Sequence, residues 1–515
     1  MESSGPAEGG LSQYHLLPLK LLSPYLTMNP SLYQINTRVW RHRFGSDTRL
    51  LDIPDVYWEK LAQLGIEYIW LMGVWQTGPN VLQYALEPGL KESYTRVLPD
   101  WTEDDVIGSP YAIDRYILHE DLGEPEDLKT VKQRINQHGL KLILDFVPNH
   151  FHAESSWISE RPDVFLEVAP PQQQLDGHTF YRSPQAPDRV LAHGKDPYFA
   201  AWQDTVQVNY AAKSAQDFMQ KQLLEVAMLC DGVRCDMAML PVQHVFSRTW
   251  GHALGAHAHE IKPFWAEAIR SVRNQSPEFI FIAEVYWDME WELQQLCFDY
   301  TYDKRLRDRL IELNTAGVKA HLQAELGFQR ASVRFLENHD EDRILSELDH
   351  AQAQAAALIT YTTPGMRFFY EGQWEGRRKR LPVQLGRLPL EVDFASTASR
   401  APTSIFQDLA GFTPLNTREP AFYEYLLALV HMPVLQQGSW RLIQLSDYPN
   451  LICSEWNLDQ EHIYILINYQ QHVSVIPAKL WTDDWEYLTS DDPTHAVQFP
   501  LSLAPFQWVV MKKRN

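Results

Sequence analysis

The chain has 515 residues, of which 45% are hydrophobic and 22% charged, a composition typical of a globular protein with more than one domain. Its formal net charge of -21 argues against a nucleic-acid partner, which usually requires a basic surface. No apolar run reaches the roughly 18 residues of a membrane span.

Cysteine usage indicates the cellular compartment. The four cysteines form no CxxC pair, and no His/Cys cluster has the spacing of zinc ligands. Few cysteines in a long chain are typical of a reducing compartment. The first residues also lack the basic and apolar segments of a secretory signal. We therefore expect a cytoplasmic protein with neither a membrane nor a nucleic acid as partner.

In chain order, a Gly/Ser/Pro-rich flexible segment, 1–27, precedes an alternation of strand and helix patterns. Apolar runs indicate strands, and runs with a 3.6-residue period indicate helices. The predicted strands are 32–40, 67–75, 140–147, 232–238, 279–287, 297–303, 331–338 and 365–372. The clearest helical patterns are 54–64, 125–138, 214–229 and 259–273.

Eight strands alternating with helices predict an α/β chain with a (β/α)8 TIM barrel, built from 28–147 and 213–435. A doubly wound open sheet is the alternative, but no GxGxxG follows an early strand. The loop-rich stretch 148–212, after the third strand, is predicted to be an inserted domain B. Short β-rich runs in 436–515 predict a C-terminal antiparallel β-sandwich.

Four of the predicted strands end in polar residues that a buried strand otherwise avoids. TIM barrels carry their catalytic residues at these carboxyl ends. The clusters follow strands three, four, five and seven, and they comprise Asp145, Asn149, His150, Arg234, Asp236, Glu284, His339 and Asp340.

The residue types in these clusters suit glycoside cleavage. Arg234 and Asp236 lie two apart and share a face, so the arginine should lower the pKa of the carboxyl and keep it ionised as a nucleophile. Glu284 ends an apolar run, which should raise its pKa and suit a general acid. One ionised and one protonated carboxyl are the minimum for this reaction. Singly, each residue could also be a cap or an ion-pair partner, and only their ordered recurrence favours a site.

These segments resemble the four sequence blocks of the α-amylase superfamily, a family of retaining α-glycoside hydrolases and transglycosidases. The resemblance covers roughly residues 28–515. The D-x-x-x-N-H, G-x-R-x-D, Glu and N-H-D blocks match Asp145, Asn149 and His150; Gly232, Arg234 and Asp236; Glu284; and Asn338, His339 and Asp340.

The resemblance implies a double displacement on an α-glucosidic bond. Asp236 would be the nucleophile, Glu284 the acid/base, and Asp340 a stabiliser of the transition state. The substrate would be an α-glucan or a small α-glucoside, and the chemistry would require no cofactor.

The resemblance also implies a set of substrate-binding residues. Arg234 would position the nucleophile, Asp145 would hold Arg234, the two histidines would bind the sugar, and the tyrosine of the segment 108–116 would stack on it. The set is Tyr111, His150, Arg234, His339 and Asp145. The segment 207–210 resembles a further substrate-side block.

Two positions qualify the resemblance. Many amylases follow the nucleophile with a Lys-His pair on the leaving-group side, but this chain has Met239 and Leu240, which argues against endo-cleavage of long polymers. Asn149 matches a residue that binds calcium in many members, so a structural calcium ion is left open.

Alternatives remain at this stage. The same residues would serve a transglycosidase or an isomerase, and the basic run 377–380 admits a phosphorylated sugar, although a solvated loop is the favoured interpretation of this run. A catalytically inactive glucan-binding protein is a further alternative, but all three carboxylates are present. The linkage, the chain length of the substrate and the oligomeric state are not specified by the sequence.

Overall fold

The computed structural model of the chain describes residues 28–254, 262–391, 405–406, 409, 412–416, 418–445, 447–476, 485–488 and 500–513. The predicted flexible segment 1–27 lies outside these residues. Among the helices within these ranges, none combines the length and the apolar composition that a bilayer span requires.

A closed barrel of eight parallel strands confirms the predicted fold class. Neighbours around the barrel are neighbours in sequence, and the eighth strand closes the barrel by pairing with the first. The strands are β1 (Ser31–Asn36), β2 (Tyr68–Met72), β3 (Lys141–Phe146), β4 (Gly232–Cys235), β5 (Ile280–Ala283), β6 (Tyr300–Tyr302), β7 (Ser332–Arg334) and β8 (Met366–Tyr370).

The helices that alternate with these strands bury one apolar face. Leu128, Val131 and Ile135 recur at helical spacing in the second of them and are all buried. The main helices are α1 (Asp55–Gln63), α2 (Asp127–Gln137), α3 (Lys213–Ala227), α4 (Trp265–Arg273), α5 (Lys304–Ile311), α6 (His350–Tyr361) and α7 (Arg418–Val430). Shorter ones include Val81–Ala85, Pro88–Val97, Gln243–Leu254, Glu290–Gln295, Thr315–His321, Leu326–Arg330, Ile344–Glu347 and Pro433–Gln437.

Several strands end earlier than their apolar runs suggest. The run 67–75 stops being a strand at Met72, where Gly73 adopts a φ of 76° that favours glycine. The run 32–40 continues after β1 as a helical turn, Thr37–Trp40. The sequence predicted a strand here because a short buried apolar run does not distinguish a strand from a helix. These early ends leave the polar residues on the loops at the carboxyl end of the barrel.

Three further regions are built from antiparallel strands. After β2, Trp75–Thr77 pairs with Ile113–Leu118. Between β3 and α3, one two-stranded and one three-stranded sheet are formed by His150–His152 with Thr205–Gln207 and by Glu167–Val168, Val190–Ala192 and Phe180–Tyr181. After α7, a five-stranded sheet contains Ser439–Ile443, Leu451–Leu458, Glu461–Asn468, Trp508–Lys513 and Trp485–Tyr487. A separate pair is formed by Ser474–Ile476 and Leu501–Leu503.

The C-terminal sheet packs on the barrel. The Trp456 indole is buried and donates to the backbone carbonyl of Thr362 at 2.8 Å. Phe422 of α7 contacts Trp508 of the sheet, with ring centroids 6.0 Å apart. The sheet therefore braces the side of the barrel that α6 and α7 cover.

Candidate active site

One buried arginine joins three carboxylates at the carboxyl ends of β3, β4 and β5. Arg234 is 1% exposed, and register pairs it with Asp145 on β3. Its Nη1 lies 3.2 Å from Asp145 Oδ1 and 2.9 Å from Asp236 Oδ1, and its Nη2 lies 2.7 Å from Glu284 Oε2. A planar guanidinium can serve two carboxylates at fixed geometry, so Asp236 and Glu284 are held close together.

Aromatic rings enclose the same guanidinium. Its central carbon lies 5.1 Å from the Trp70 ring centroid, 5.2 Å from that of Tyr111 and 5.9 Å from that of Tyr302. The Trp70 indole also donates to Asp145 Oδ2 at 3.1 Å. Cation–π contacts compensate part of the hydration that a buried guanidinium loses. Arg234 is thereby fixed independently of substrate.

Backbone hydrogen bonds fix the two carboxylates beyond the strand ends. The N–H of Asp236 donates to the carbonyl of Phe146 at 2.9 Å, and the N–H of Glu284 donates to the carbonyl of Cys235 at 3.0 Å. Between them, Met237 adopts a φ of 40°, an uncommon value for a residue with a side chain. Its N–H then donates to Glu284 Oε2 at 2.7 Å.

Burial decides the protonation of Glu284. The residue is 3% exposed, and desolvation raises its pKa to about 7 although Arg234 opposes the rise. The nearby charges of Asp236 and Asp340 raise the pKa further. At neutral pH about half of the molecules therefore carry a proton on Glu284, in the direction that the sequence predicts for a general acid.

The pKa of Asp236, the candidate nucleophile, shifts in the direction opposite to the one that the sequence predicted. Burial raises the pKa of Asp236, and the attraction of Arg234, which acts in the expected direction, is the smaller effect. The residue is 7% exposed, whereas the sequence argument considered only its charged neighbour. Arg234 is shared with Asp145 and Glu284, so its attraction lowers the pKa of Asp236 by less than desolvation raises it.

Asp340 is the carboxylate that faces solvent. Asn338 Oδ1 accepts hydrogen bonds from the N–H groups of Asp340 and Glu341, and this turn presents the Asp340 side chain, which is 44% exposed. Desolvation is the largest single effect and favours the neutral form, but His339, whose Nε2 lies 3.0 Å from Oδ2, acts together with Arg234 and Arg380 to lower the pKa of Asp340 to about 2. Asp340 is thus ionised throughout the neutral range.

The predicted sugar-binding residues lie around these carboxylates. Tyr111 Oη is 2.7 Å from His339 Nε2, and the two rings stack with centroids 5.3 Å apart. Gln34 Nε2 lies 2.7 Å from the other ring nitrogen of His339. The His150 ring lies 5.4 Å from that of Trp202, and burial lowers the pKa of His150 to about 4. All five predicted substrate-binding residues therefore meet at one end of the barrel.

The surroundings of Asn149 do not fit a calcium ion. Calcium in proteins takes six to eight oxygen ligands, usually with carboxylates among them. Here the Gln207 Nε2 lies within 3.0 Å of Asn149 O, Asn149 Oδ1 and Val208 O, so an amide N–H group occupies the centre of these acceptors. Across the described ranges, no group of three or more His, Cys, Asp or Glu could hold a metal.

The two residues that replace the Lys-His pair after the nucleophile belong to the apolar core. Met239 and Leu240 are both buried in the apolar core and line no described cavity. The basic run is largely paired as well: Arg377 Nε donates to Glu375 at 2.8 Å, and Arg380 Nε donates to Asp342 at 3.1 Å. The phosphate interpretation of this run therefore gains no support from its contacts.

Sequence reasoning missed three members of the site. Gln34, Trp70 and Tyr302 contact the predicted residues, yet none was identified as a site residue. Gln34 carried a usable signal, because it is a polar residue inside a buried apolar strand. The aromatic residues carried none, because aromatic rings in strands are typical of any core.

A cavity of about 630 Å³ opens beside the carboxylates, within the usual size range of small-molecule sites. Met237 and Tyr286, which both hydrogen-bond Glu284, line it together with Phe199 and Trp287, and the rest of the lining is charged or polar. Trp287 also packs on Tyr198, with centroids 4.8 Å apart. By contrast, Trp75 and Trp374 are fully buried core residues that have no exposed face for a sugar.

Comparison with known proteins gives consistent results. A sequence model of the alpha-amylase catalytic domain matches residues 59–205. Alpha-amylase MalA of Haloarcula japonica is 27% identical over 277 residues, which is 52% of this chain and 36% of that protein. An α-1,4-glucan:maltose-1-phosphate maltosyltransferase of Pseudomonas aeruginosa is 24% identical over 188 residues, which is 35% of this chain and 23% of that protein.

The matched segments thus span well under half of either relative. Among solved structures, an α-amylase from H. orenii superposes with a TM-score of 0.65 at 21% identity, covering 94% of this chain and 99% of that one. This structural likeness concerns the fold alone. The family match at 59–205 ends before Asp236 and Glu284, so the roles of these residues rest on their geometry.

Proposed function

The chain belongs to the α-amylase superfamily, and from this premise we propose that it is a retaining α-glycosidase. Its substrates are malto-oligosaccharides or related α-glucosides. The observation that carries the proposal is the bridging of Asp236 and Glu284 by Arg234, with Asp340 ionised at the mouth of the barrel. A close carboxylate pair is the arrangement that retention of configuration requires.

The reaction follows from the protonation states. In molecules where Glu284 is protonated and Asp236 is the carboxylate paired with Arg234 at 2.9 Å, Glu284 gives its proton to the glycosidic oxygen while Asp236 attacks the anomeric carbon. The bond to the leaving sugar breaks and a covalent glycosyl-enzyme forms. Glu284, now a carboxylate, takes a proton from water, which attacks the anomeric carbon and releases the sugar with the same configuration. Asp340 balances positive charge on the sugar ring in both transition states.

We propose that no cofactor takes part. Proton transfer and nucleophilic attack need only the carboxylates named above, and the Gln207 amide fills the centre of the oxygens around Asn149. We also propose a cytoplasmic location, which the four free cysteines support.

A second candidate is transfer to a sugar acceptor. The cavity beside Glu284 has an aromatic wall, Phe199 and Trp287, and sugar rings stack on such surfaces. A bound acceptor would compete with water for the glycosyl-enzyme. The maltosyltransferase among the relatives supports this candidate by its name alone. Incubation with maltose and maltotriose distinguishes the two: hydrolysis yields only shorter sugars, and transfer yields longer or rearranged ones.

Trapping the intermediate tests the common mechanism. Glu284→Gln should lower turnover of maltotriose by about 10²–10⁴-fold, because general acid catalysis is lost. With α-glucosyl fluoride, whose leaving group needs no proton, the variant should accumulate one glucosyl group on Asp236, detectable by mass spectrometry of the peptide. Glu278→Gln, a glutamate exposed before β5, is the matched control. The absence of any adduct together with full activity of Glu284→Gln would overturn the proposal.

A further inference from the structure

The two carboxylate oxygens of Glu284 have different partners. Oε2 lies 2.7 Å from the Met237 N–H nitrogen and 2.7 Å from Nη2 of Arg234. Oε1 has one described partner of another kind, the hydroxyl of Tyr286 at 2.8 Å. Oε2 thus has a backbone N–H donor and a guanidinium ion-pair partner, neither of which can accept a hydrogen bond, whereas Oε1 faces a hydroxyl that can either donate or accept.

This asymmetry selects the oxygen that carries the proton. A proton on Oε2 would point at a backbone N–H and a guanidinium, and both contacts would become repulsive. A proton on Oε1 instead finds the Tyr286 oxygen as its acceptor. We propose that Tyr286 is a positioning residue that holds Glu284 so that Oε1 is the atom that delivers and recovers the catalytic proton.

Tyr286 is well placed for this role. It follows Glu284 by two residues, and it lines the cavity that adjoins the site. The next two residues, Trp287 and Asp288, adopt φ values of 64° and 63°, which are uncommon for residues with side chains and turn the chain sharply at this point. Tyr286 therefore contacts the acid through its hydroxyl and also lines the adjoining cavity.

The hydrogen bond has a predictable electrostatic effect. When Glu284 is ionised, the Tyr286 hydroxyl donates to Oε1 and stabilises the charge, so it holds the pKa of Glu284 below the value that burial and like charges alone would produce. Removing the hydroxyl should therefore raise that pKa. The other charged or titratable groups facing Glu284 are Arg234, Asp236, Asp340 and Tyr302, and Tyr286→Phe leaves them all in place.

The experiment compares Tyr286→Phe with wild type and with Tyr469→Phe. The Tyr469 hydroxyl is also buried and donates to a backbone carbonyl, that of Leu310, at 2.7 Å, so this control loses a similar bond away from the carboxylates. In Tyr286→Phe we expect the alkaline limb of kcat/KM to move up by about one pH unit, the size of effect that one hydrogen bond to a carboxylate produces. At neutral pH, kcat on maltotriose should fall about tenfold or more with little change in KM.

Leaving-group dependence separates positioning from simple damage. Cleavage of α-glucosyl fluoride needs no proton from Glu284, so its first step should be unaffected in Tyr286→Phe. Equal losses on fluoride and maltotriose, or an unmoved alkaline limb, would overturn the inference. A shift of the same size in Tyr469→Phe would overturn it as well.

The inference rests on the proposed function, and one measurement distinguishes their failures. Titration of the Glu284 carboxyl by ¹³C NMR, assigned with Glu284→Gln, reports its pKa whether or not the protein turns over a sugar. A wild-type protein without turnover would contradict the proposed function. A Glu284 titration that is the same in wild type and Tyr286→Phe would contradict the role of Tyr286.

Discussion

Replacing Glu284 with glutamine is expected to stabilise the folded protein at alkaline pH while it strongly lowers turnover of maltotriose. The pKa of Glu284 rises from 4.5 to about 7 on folding, chiefly through desolvation. Because the folded state holds the proton more tightly, stability falls as the pH rises above 4.5, and the full penalty is reached above about 7. One pKa unit corresponds to about 1.4 kcal/mol, so ionising Glu284 in place costs about 3 kcal/mol.

Glutamine avoids this cost without losing the contacts. Its amide oxygen can accept from the Met237 N–H, and its amide N–H can donate to the Tyr286 oxygen. We therefore expect a gain below about 1 kcal/mol at pH 5 and of about 3 kcal/mol at pH 8. For a chain of this length, the larger gain corresponds to a rise in Tm of about 3 °C.

Scanning calorimetry of wild type and variant at both pH values measures the difference. Glu455→Gln is the control of opposite sign. Burial raises the pKa of Glu455, but Arg441 and His462 lower it by more. The charge of Glu455 therefore stabilises the fold above the unfolded pKa, and this contribution is lost only in acid. The control should therefore lower Tm at pH 5 and at pH 8. The reasoning about Glu284 fails if Glu284→Gln lowers Tm at pH 8, or if its effect is the same at both pH values.

Three further outcomes are expected. Asp340→Asn should lower kcat/KM by about 10²–10³-fold through lost charge stabilisation, and undiminished kinetics would contradict its role. Because the pKa of Asp340 is lowered in the fold, the variant should also lower Tm slightly at neutral pH, with the effect reduced by the solvent exposure of the side chain. EDTA should not lower the Tm of wild type, and a wild-type Tm that falls in EDTA would contradict the absence of calcium at Asn149. Gln207→Asp, which places a carboxylate next to the Asn149 oxygens, should instead make Tm depend on calcium. Gly365→Ala should cost at least about 2 kcal/mol in urea denaturation, because the new Cβ would meet a carbonyl oxygen 2.3 Å away at a φ of 131°, whereas Gly327→Ala, with open space, should be tolerated.

The sequence by itself determined the barrel and the identity of the carboxylates. The eight apolar runs coincide with β1–β8, because a strand buried on both faces must be apolar along its length. Asp145, Asp236 and Glu284 stood out for the same reason, since charged residues at the ends of such runs have no role in packing. Strand bounds were less well predicted: β5 ends at Ala283, although the apolar run continues to Trp287.

Only the tertiary structure decided how these groups act on one another. Arg234 and Asp236 lie two residues apart in sequence, but the contact of Arg234 with Glu284, 50 positions later, depends on the neighbouring register of β4 and β5. The net rise of the Asp236 pKa and the choice of Oε1 on Glu284 follow from burial and from hydrogen-bond direction. The desolvation of a carboxylate and the direction of its hydrogen bonds depend on the groups that surround it in three dimensions. A pattern along the sequence therefore does not specify them.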